Sequence, residues 1–441
     1  MSTDPTSTPL AATPPAGTSR RTPRKARTPF RRRRTSLTFV AAALLSGFGL
    51  SACSSGGSSD DSASAAPSAS PTACPTSEPA APGGGAPSGA PSGAPSGAPS
   101  GGAAPGGIPV ATSIAESDNS TSTVIDPQGP EITCDPGAVT TTEDITYSSP
   151  STGGTSTDLM LDIQVPETSG DKPLVVYLTG GGFMQADRTG NLDQRTYIAD
   201  QGYVVASVQY RTTASGATYT DAVADVKSAI RYLRANAGTY GIDTDNVFVW
   251  GQSAGGYLAA MTGATNGDES FDVGDHLDQS SEVQGVVDEF GPANLSRLAA
   301  DFDQAAQDSN YTSGNAAARW VYGPDATESI EEYTDEVAAA DPATHLSSAT
   351  SPFLLFHGTA DPLVSPSQTL DLFNALTDEG IDAQRVVLEG AAHGDMGFLS
   401  ALAGGASPGA SGAPDTEDVS AVWSSQETMG YIVDFLDQNT V

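Results

Sequence analysis

One serine has the setting of a nucleophile. Ser253 lies in Gly-Gln-Ser-Ala-Gly, residues 251–255, directly after the apolar run Val-Phe-Val-Trp. A Gly-x-Ser-x-Gly at a strand-to-helix turn is a nucleophile elbow, which presents the serine hydroxyl at a helix N-terminus. The motif alone is weak evidence in a chain with 48 glycines, but its position between a strand and a helix is specific. The pattern therefore predicts Ser253 as the nucleophile of an acyl transfer.

Consecutive glycines provide candidate donors for the negative charge that such an attack creates. Gly180, Gly181 and Gly182 follow the apolar run at residues 174–178. Because glycines lack side chains, their backbone N–H groups can point into a cavity and stabilise an oxyanion. We expect Gly181 and Gly182 to donate there, together with the N–H of Ala254.

One aspartate and one histidine supply a candidate acid and base. Asp361 and His393 each come shortly after an apolar run in the second half of the chain. An aspartate that holds an imidazole tautomer and a histidine that takes the proton from the serine would complete this chemistry, and the family resemblance of the chain implies that Asp361 and His393 have these two roles. His357, at a strand end, is expected to be a structural hydrogen-bonding group. No metal-ligand motif is present in the sequence, so we expect no metal and no cofactor.

These residues need a scaffold whose strands end at one edge. After residue 140, apolar runs typical of strands alternate with helical patterns. The predicted strands are 174–178, 203–208, 247–250, 283–287, 353–356 and 385–388, with an antiparallel lead-in at 145–147 and 159–165. Several runs are apolar throughout, which is typical of strands buried on both faces of a parallel sheet. The sequence therefore predicts a three-layer α/β fold with a mostly parallel central sheet.

Two helices have signals at their ends. One is predicted from apolar residues at helical spacing and should end at Gly238; those residues are Val223, Val226, Ile230 and Leu233. A second should begin with Ser365 as N-cap and Pro366 at the first position, and end near Gly380. Residues 293–350 are predicted to form helices over the site and to supply its wall.

Several motifs together resemble the α/β-hydrolases of the hormone-sensitive-lipase-like and bacterial acetyl-esterase (BD-FAE-like) group. Besides the serine motif, they are Tyr-Arg at 210–211, Tyr-Gly-Ile-Asp at 240–243, Gly-Pro at 291–292 and His-Gly-Thr-Ala-Asp at 357–361. The resemblance covers most of residues 140–441 and implies a three-layer αβα sandwich. It also implies a serine carboxylesterase that uses Ser253, Asp361 and His393 through an acyl-enzyme. The family usually has His-Gly-Gly-Gly, and Thr179 replaces that His here, which implies a less preorganised oxyanion loop.

The N-terminal residues resemble an export signal. Basic residues between Arg20 and Arg34 precede a weakly polar run at 37–50. Fourteen residues span roughly 21 Å as a helix, too short for a bilayer core of about 30 Å. Leu-Ser-Ala-Cys at 50–53 resembles a bacterial lipobox. We therefore expect residues 1–52 to be a lipoprotein signal peptide and Cys53 to carry a lipid anchor on the outer face of a membrane. If the lipobox is not used, we expect the protein to be secreted.

A stretch rich in Gly, Pro, Ser and Ala follows the lipobox. Residues 53–139 contain Gly-Ala-Pro-Ser repeats at 85–101 and are predicted to be a disordered linker. The catalytic domain is predicted at residues 140–441. Cys74 and Cys134 are free to pair in an oxidising compartment, and the sequence leaves that pairing open. Residues 403–414 are expected to be a mobile surface loop or plain disorder.

The charge balance limits the partners. The chain has 19 Lys and Arg against 53 Asp and Glu, a formal net charge of −34, which excludes nucleic-acid binding. The expected partner is a small-molecule or polysaccharide-linked ester with a short acyl group. Two alternatives remain: an exopeptidase of the same fold, and a catalytically inactive hydrolase fold that serves as a binding module.

Overall fold

Strands and helices alternate along the chain in the computed structural model, which describes residues 71–76, 109–127, 129–135, 137–394 and 422–441. The strands are β1 (Thr72–Ala73), β2 (Thr123–Ile125), β3 (Thr133–Cys134), β4 (Val139–Ser148), β5 (Ser151–Thr152), β6 (Thr155–Ser156), β7 (Leu159–Pro166), β8 (Lys172–Leu178), β9 (Val204–Val208), β10 (Ile242–Gln252), β11 (Gly285–Glu289), β12 (Phe353–Gly358) and β13 (Ala383–Leu388). The helices are α1 (Leu192–Asp200), α2 (Tyr219–Ala235), α3 (Ala237–Tyr240), α4 (Ala254–Ala264), α5 (Gln304–Asn310), α6 (Ala316–Tyr322), α7 (Asp335–Ala339), α8 (Ser367–Asp378) and α9 (Gln426–Asn439).

One sheet organises the described residues. Its nine strands have the order β2-β13-β12-β11-β10-β8-β9-β7-β4. Neighbours from β2 to β9 are parallel, whereas β7 pairs antiparallel with both β9 and β4. The predicted mostly parallel α/β sheet is confirmed, and its antiparallel lead-in is formed by β4 and β7.

Helices cover both faces of this sheet because its central strands are apolar on both sides. In β8, Val176 packs into the core cluster that contains Ile230 of α2. The next residue back, Val175, packs into the other cluster, with Ile198 of α1 and Ile432 of α9. This alternation follows from the two-residue period of a strand. The result is the three-layer sandwich expected from the sequence.

Two predicted helix ends differ from the structure. α2 ends at Ala235, whereas Gly238 lies inside the short helix α3 and does not terminate a helix. The glycine with a left-handed conformation is Gly241, the C-cap of α3, with φ 63°. α8 begins one residue later than predicted, with Pro366 at the N-cap. The Ser365 hydroxyl accepts a hydrogen bond from the backbone N–H of Asp301 at 2.9 Å, so it contacts another segment and caps no helix.

The folded domain begins before the predicted boundary at residue 140. β2 pairs with β13 at the end of the sheet, where a strand edge would otherwise be open. Cys74, the residue after β1, and Cys134 of β3 are buried and form a disulfide, which joins the predicted linker to the domain. The described parts of residues 71–139 are therefore structured, in contrast to the expected continuous disorder. Cys53, the signal segment, the repeats at 85–101 and the loop at 403–414 lie outside the described residues.

Among the described residues, no helix combines the length and apolar character needed to cross a bilayer.

Candidate active site

The turn between β10 and α4 holds Ser253 in a strained backbone conformation. Its φ of 54° and ψ of −121° are unusual for a residue with a side chain. The glycines on either side permit this turn. A Cβ on Gly251 would lie 2.1 Å from the carbonyl oxygen of Gly255, and a Cβ on Gly255 would lie 2.1 Å from that of Leu178. The sequence pattern Gly-x-Ser-x-Gly is therefore a steric requirement of this turn.

Ser253, His393 and Asp361 form a continuous chain of hydrogen bonds. The Ser253 Oγ lies 2.9 Å from the His393 Nε2, and the His393 Nδ1 lies 2.7 Å from the Asp361 Oδ2. Because an ionised carboxylate can only accept, the imidazole Nδ1–H donates to Asp361, and the Nε2 accepts from the serine hydroxyl. The structure thus brings together three residues that are 140 and 32 positions apart in the chain.

Asp361 is held as a carboxylate by the loop after β12. Its Oδ1 accepts hydrogen bonds from the backbone N–H groups of Leu363 and Val364 at 2.8 and 3.0 Å. Burial would raise the pKa of Asp361, but His393 and His357 beside it hold that pKa well below its ordinary value. The His357 Nε2 lies 3.3 Å from the Asp361 Oδ2 and its Nδ1 lies 3.0 Å from the Thr369 Oγ1. His357 is therefore a buried hydrogen-bonding group, as expected.

Two aromatic side chains support the His393 ring. The ring centroid of Phe290 lies 4.7 Å from that of His393. The ring of Trp423 makes an edge contact with Phe290, with 4.6 Å between the ring centroids. The Trp423 Nε1 donates to the carbonyl of Ala392, one residue before the histidine, at 3.3 Å. Neither aromatic residue was predicted from the sequence. Phe290 has a φ of 46°, which is unusual for an aromatic residue and places its ring beside His393.

The glycine loop after β8 lies against the serine. Gly180 is so close that a Cβ there would be 3.0 Å from the Ser253 Cβ. Gly182 and Ala254 line the same cavity as Ser253 and His393, whereas Gly181 is not among the lining residues. The carbonyl of Gly181 accepts hydrogen bonds from the N–H groups of Met184 and Gln185, at 3.0 and 3.2 Å, which closes the loop.

Thr179, at the position of the family's histidine, is buried beneath this loop. Its carbonyl accepts a hydrogen bond from the Tyr210 hydroxyl at 2.7 Å. Tyr210 belongs to the Tyr-Arg motif after β9, so this buried tyrosine ties the two loops together. The predicted weaker preorganisation of the oxyanion loop stays a prediction.

A cavity of about 250 Å³ opens at the serine. Phe183 and Met184 of the glycine loop form part of its wall, and α6 and the segment around Leu298 form another part, as expected for residues 293–350. The ring of Phe183 stacks on that of the buried Trp320, with 4.8 Å between the ring centroids, and this contact holds the Phe183 side of the cavity wall in place. Pro109, from the predicted linker, also lines the cavity and was not foreseen.

Two buried carboxyl groups lie beneath the nucleophile at the end of β11. Asp288 and Glu289 are both fully buried, and burial raises the pKa of each to about 7. The Glu289 Oε2 accepts hydrogen bonds from the Trp250 Nε1 at 3.0 Å and the Gln252 Nε2 at 2.6 Å. The backbone carbonyl of Glu289 accepts from the N–H of Ser253 at 2.9 Å. Glu289 thus supports the elbow through Trp250, Gln252 and Ser253. Neither acid was predicted from the sequence.

The described residues contain no group of three or more His, Cys, Asp or Glu side chains arranged to hold a metal ion.

Comparison with known proteins adds family information. Residues 161–376 match the BD-FAE family model. The chain is 26% identical over 248 residues to a probable isoprenylcysteine alpha-carbonyl methylesterase of Arabidopsis thaliana, covering 56% of this chain and 50% of that protein. It is 28% identical over 204 residues to the probable carboxylic ester hydrolase LipM of Mycobacterium tuberculosis, covering 46% and 44%. The chain thus spans about half the length of the curated relatives it matches.

A solved structure supports the fold. A truncated carbohydrate esterase from gut microbiota superposes with a TM-score of 0.53 and 21% identity, covering 68% of this chain and 96% of that chain. At this identity the likeness concerns the arrangement of the sheet and its helices.

Proposed function

We propose that this chain, whose residues 161–376 are a BD-FAE domain on an α/β-hydrolase fold, is a serine carboxylesterase for short acyl esters. The observation that carries the proposal is the hydrogen-bonded chain from Ser253 through His393 to Asp361 at a cavity. The names of the two relatives agree in ester hydrolysis, one as a methylesterase and one as a carboxylic ester hydrolase.

In the first half-reaction, the Ser253 Oγ attacks the ester carbonyl carbon. The hydroxyl proton moves to the His393 Nε2, which is 2.9 Å away, while a new bond forms between Oγ and carbon. Negative charge develops on the carbonyl oxygen, and the predicted donors to it are the N–H groups of Gly181, Gly182 and Ala254, of which Gly182 and Ala254 line the cavity. The ester C–O bond then breaks, and the alcohol leaves with the proton from His393.

In the second half-reaction, water replaces the alcohol. The His393 Nε2 takes a proton from water, whose oxygen attacks the acyl-enzyme carbonyl. The bond to the Ser253 Oγ breaks, the oxygen recovers the proton, and the carboxylic acid leaves. Throughout, Asp361 stabilises the imidazolium that forms, since it remains an ionised carboxylate.

The size of the cavity supports a short acyl group. Its volume of about 250 Å³ lies below the roughly 300–1,000 Å³ of sites for drug-sized ligands. The stacked rings of Phe183 and Trp320 close one side. Each methylene that the cavity cannot bury forgoes about 0.8 kcal/mol of binding. We therefore expect acetyl to butyryl esters, carried on a small molecule or a polysaccharide, to be the best substrates.

The lining of the cavity argues against the exopeptidase alternative. An exopeptidase that reads a free amine needs an acidic anchor, and none of the described lining residues is Asp or Glu. The inactive binding module is disfavoured because the three hydrogen-bonding residues of the acyl-transfer chain are all in contact.

We also propose that the protein is exported and lipid-anchored at Cys53. The disulfide between Cys74 and Cys134 supports export, because such bonds persist in oxidising compartments. The anchor itself rests on the lipobox-like sequence at 50–53. The domain would then act on esters at the outer face of the membrane.

The function is tested with purified full-length chain and p-nitrophenyl esters of two to sixteen carbons. We expect kcat/KM to be highest from two to four carbons and to be low beyond about eight. Aminoacyl p-nitroanilides test the exopeptidase alternative in the same assay. A maximum at twelve carbons or more would contradict the short-chain proposal, and hydrolysis of the anilides in preference to the esters would contradict the esterase proposal. Ser253→Ala is the control for contaminating hydrolases.

A further inference from the structure

Residues 109–115, here called the N-terminal strap, lie against the segment before α5. The strap buries Ala111 in a small apolar cluster with Ala299, Phe302 and Ala306. Ile114 pairs with Phe302 in an antiparallel bridge, and the N–H of Ala115 donates to the carbonyl of Asp301 at 2.7 Å. The strap is therefore attached by both apolar and backbone contacts to a segment almost 190 residues away.

One carboxylate fastens the strap. The Asp303 Oδ2 accepts hydrogen bonds from the backbone N–H and the hydroxyl of Thr112, at 2.7 and 2.9 Å, and from the N–H of Ser113 at 3.2 Å. These hydrogen bonds, led by that from the Thr112 N–H, lower the pKa of Asp303 to about 2, so the carboxylate is charged at ordinary pH. Its other oxygen, Oδ1, accepts from the N–H of Ala306 at 3.1 Å and caps α5. The Asp303 Oδ2 thus binds the strap, while the Oδ1 caps α5.

The strap also contacts the loop that carries the acid. The N–H of Ala111 donates to the carbonyl of Pro362 at 2.9 Å, one residue after Asp361. The following residues, Leu363 and Val364, line the cavity and donate their N–H groups to Asp361. At the end of the strap, Pro109 lines the cavity as well. The strap therefore joins the cavity wall to the loop that holds the acid.

We propose that the N-terminal strap determines substrate size, with Pro109 as a specificity-determining residue in the cavity wall and Asp303 as the positioning residue that holds it there. The inference rests on the proposed esterase function and adds a wall from outside the BD-FAE match at 161–376. Because proline has a rigid ring and a fixed φ, it makes a firm boundary for a small ligand. Residues around it that belong to the domain, such as Leu298 and Leu363, form the rest of that boundary.

The consequence concerns selectivity. If the Pro109 ring is removed or the strap detaches, the cavity can admit more of the substrate. Each additional methylene that becomes buried is worth about 0.8 kcal/mol, which is about fourfold in kcat/KM. Larger esters should therefore gain relative to the smallest ester. A merely structural strap would, on unfolding, lower activity toward all esters by the same factor.

The test uses three variants of the full-length chain. Pro109→Gly removes the ring directly. Asp303→Asn keeps an oxygen that can cap α5, but its amide nitrogen cannot accept from Thr112 or Ser113. Asp308→Asn is the matched control, because it removes the same charge from an exposed side chain of α5, the helix that Asp303 caps; among the described residues the Asp308 carboxylate accepts a hydrogen bond from Gln304 and has none from the strap. Steady-state kinetics are measured for p-nitrophenyl esters of two to eight carbons and for acetates of alcohols from methyl to phenylethyl.

In the acyl series or in the alcohol series, Pro109→Gly should raise the kcat/KM of the larger esters relative to that of the smaller esters about fourfold or more. Asp303→Asn should change the same ratio in the same direction. The Asp308→Asn ratio should equal that of the wild type. Unchanged ratios in both series, or an equal loss for every ester, would overturn the proposal.

Amide hydrogen exchange separates this outcome from failure of the esterase function. If the wild type hydrolyses no ester, the esterase proposal fails, and exchange still tests the strap. Asp303→Asn should speed exchange at residues 111–115 and at 363–364, and Asp308→Asn should not. Exchange in the Asp303→Asn variant equal to that of the wild type would overturn the strap proposal independently.

Discussion

Replacing Glu289 with Gln should change how stability depends on pH. Glu289 is fully buried, and burial raises its pKa from 4.5 to about 7, against the lowering effect of the hydrogen bonds from Gln252 and Trp250. Between these two pH values the folded protein keeps a proton that the unfolded chain loses. The stabilisation is therefore complete below about pH 4.5, and it is lost as pH rises toward 7.

The size of the effect follows from the shift. The difference between 4.5 and about 7 corresponds to about 3 kcal/mol at about 1.4 kcal/mol per pKa unit. A glutamine at this position retains an oxygen that can accept from Trp250 and Gln252, but it never ionises. Its new N–H₂ group would be buried where the Oε1 has no hydrogen-bond partner among the described residues. That cost, on the order of 1–3 kcal/mol, is the same at every pH and so does not affect the slope.

The measurement is urea unfolding of wild type and Glu289→Gln at intervals from pH 4.5 to 8.5. The free energy of unfolding of the variant, relative to the wild type, should rise by about 3 kcal/mol across this range. Glu332→Gln is the matched control, because it makes the same substitution at an exposed side chain. Equal pH slopes for wild type and Glu289→Gln would contradict this prediction, because they would mean that folding leaves the pKa of Glu289 unchanged.

Two other predictions concern the acid and the anchor. Asp361→Asn should lower kcat by about 10³–10⁴ with little loss of thermal stability. The asparagine amide would donate to the His393 Nδ1 and leave the imidazole proton on Nε2, so Nε2 could no longer accept the proton of Ser253. A kcat within tenfold of wild type would contradict this role of Asp361. Cys53→Ala should move the protein from the membrane fraction to the soluble or secreted fraction, since two acyl chains give stable attachment and none remain in the variant; unchanged retention in membranes would contradict lipidation.

The sequence predicted the parts of the site that depend on local pattern. The runs 174–178 in β8 and 353–356 in β12 are apolar because both faces of these strands are buried, and this makes them visible in the sequence. Ser253, Asp361 and His393 follow such strands, so their positions at one edge of a parallel sheet could be inferred. The elbow was visible because its turn excludes side chains at Gly251 and Gly255.

Other features depend on contacts between distant residues. The strap at 109–115 has little apolar periodicity, and its partner Asp303 is one of 53 acids in the chain. Nothing in the local sequence distinguishes Asp303 from an acidic residue that faces solvent. Asp288 and Glu289 were missed for the opposite reason: charged residues at the end of a strand are usually exposed, and only the fold reveals their burial. The disulfide of Cys74 with Cys134 likewise needed the fold, since spacing alone does not determine pairing.

The most direct test of the central claim is covalent labelling of the nucleophile. The full-length chain is treated with a fluorophosphonate, and the modified residue is identified by mass spectrometry. We expect one phosphonate adduct, on Ser253, that is absent in Ser253→Ala and forms far more slowly in His393→Ala. An adduct on another residue, or ester hydrolysis that continues undiminished in Ser253→Ala, would contradict the assignment of Ser253 as the nucleophile.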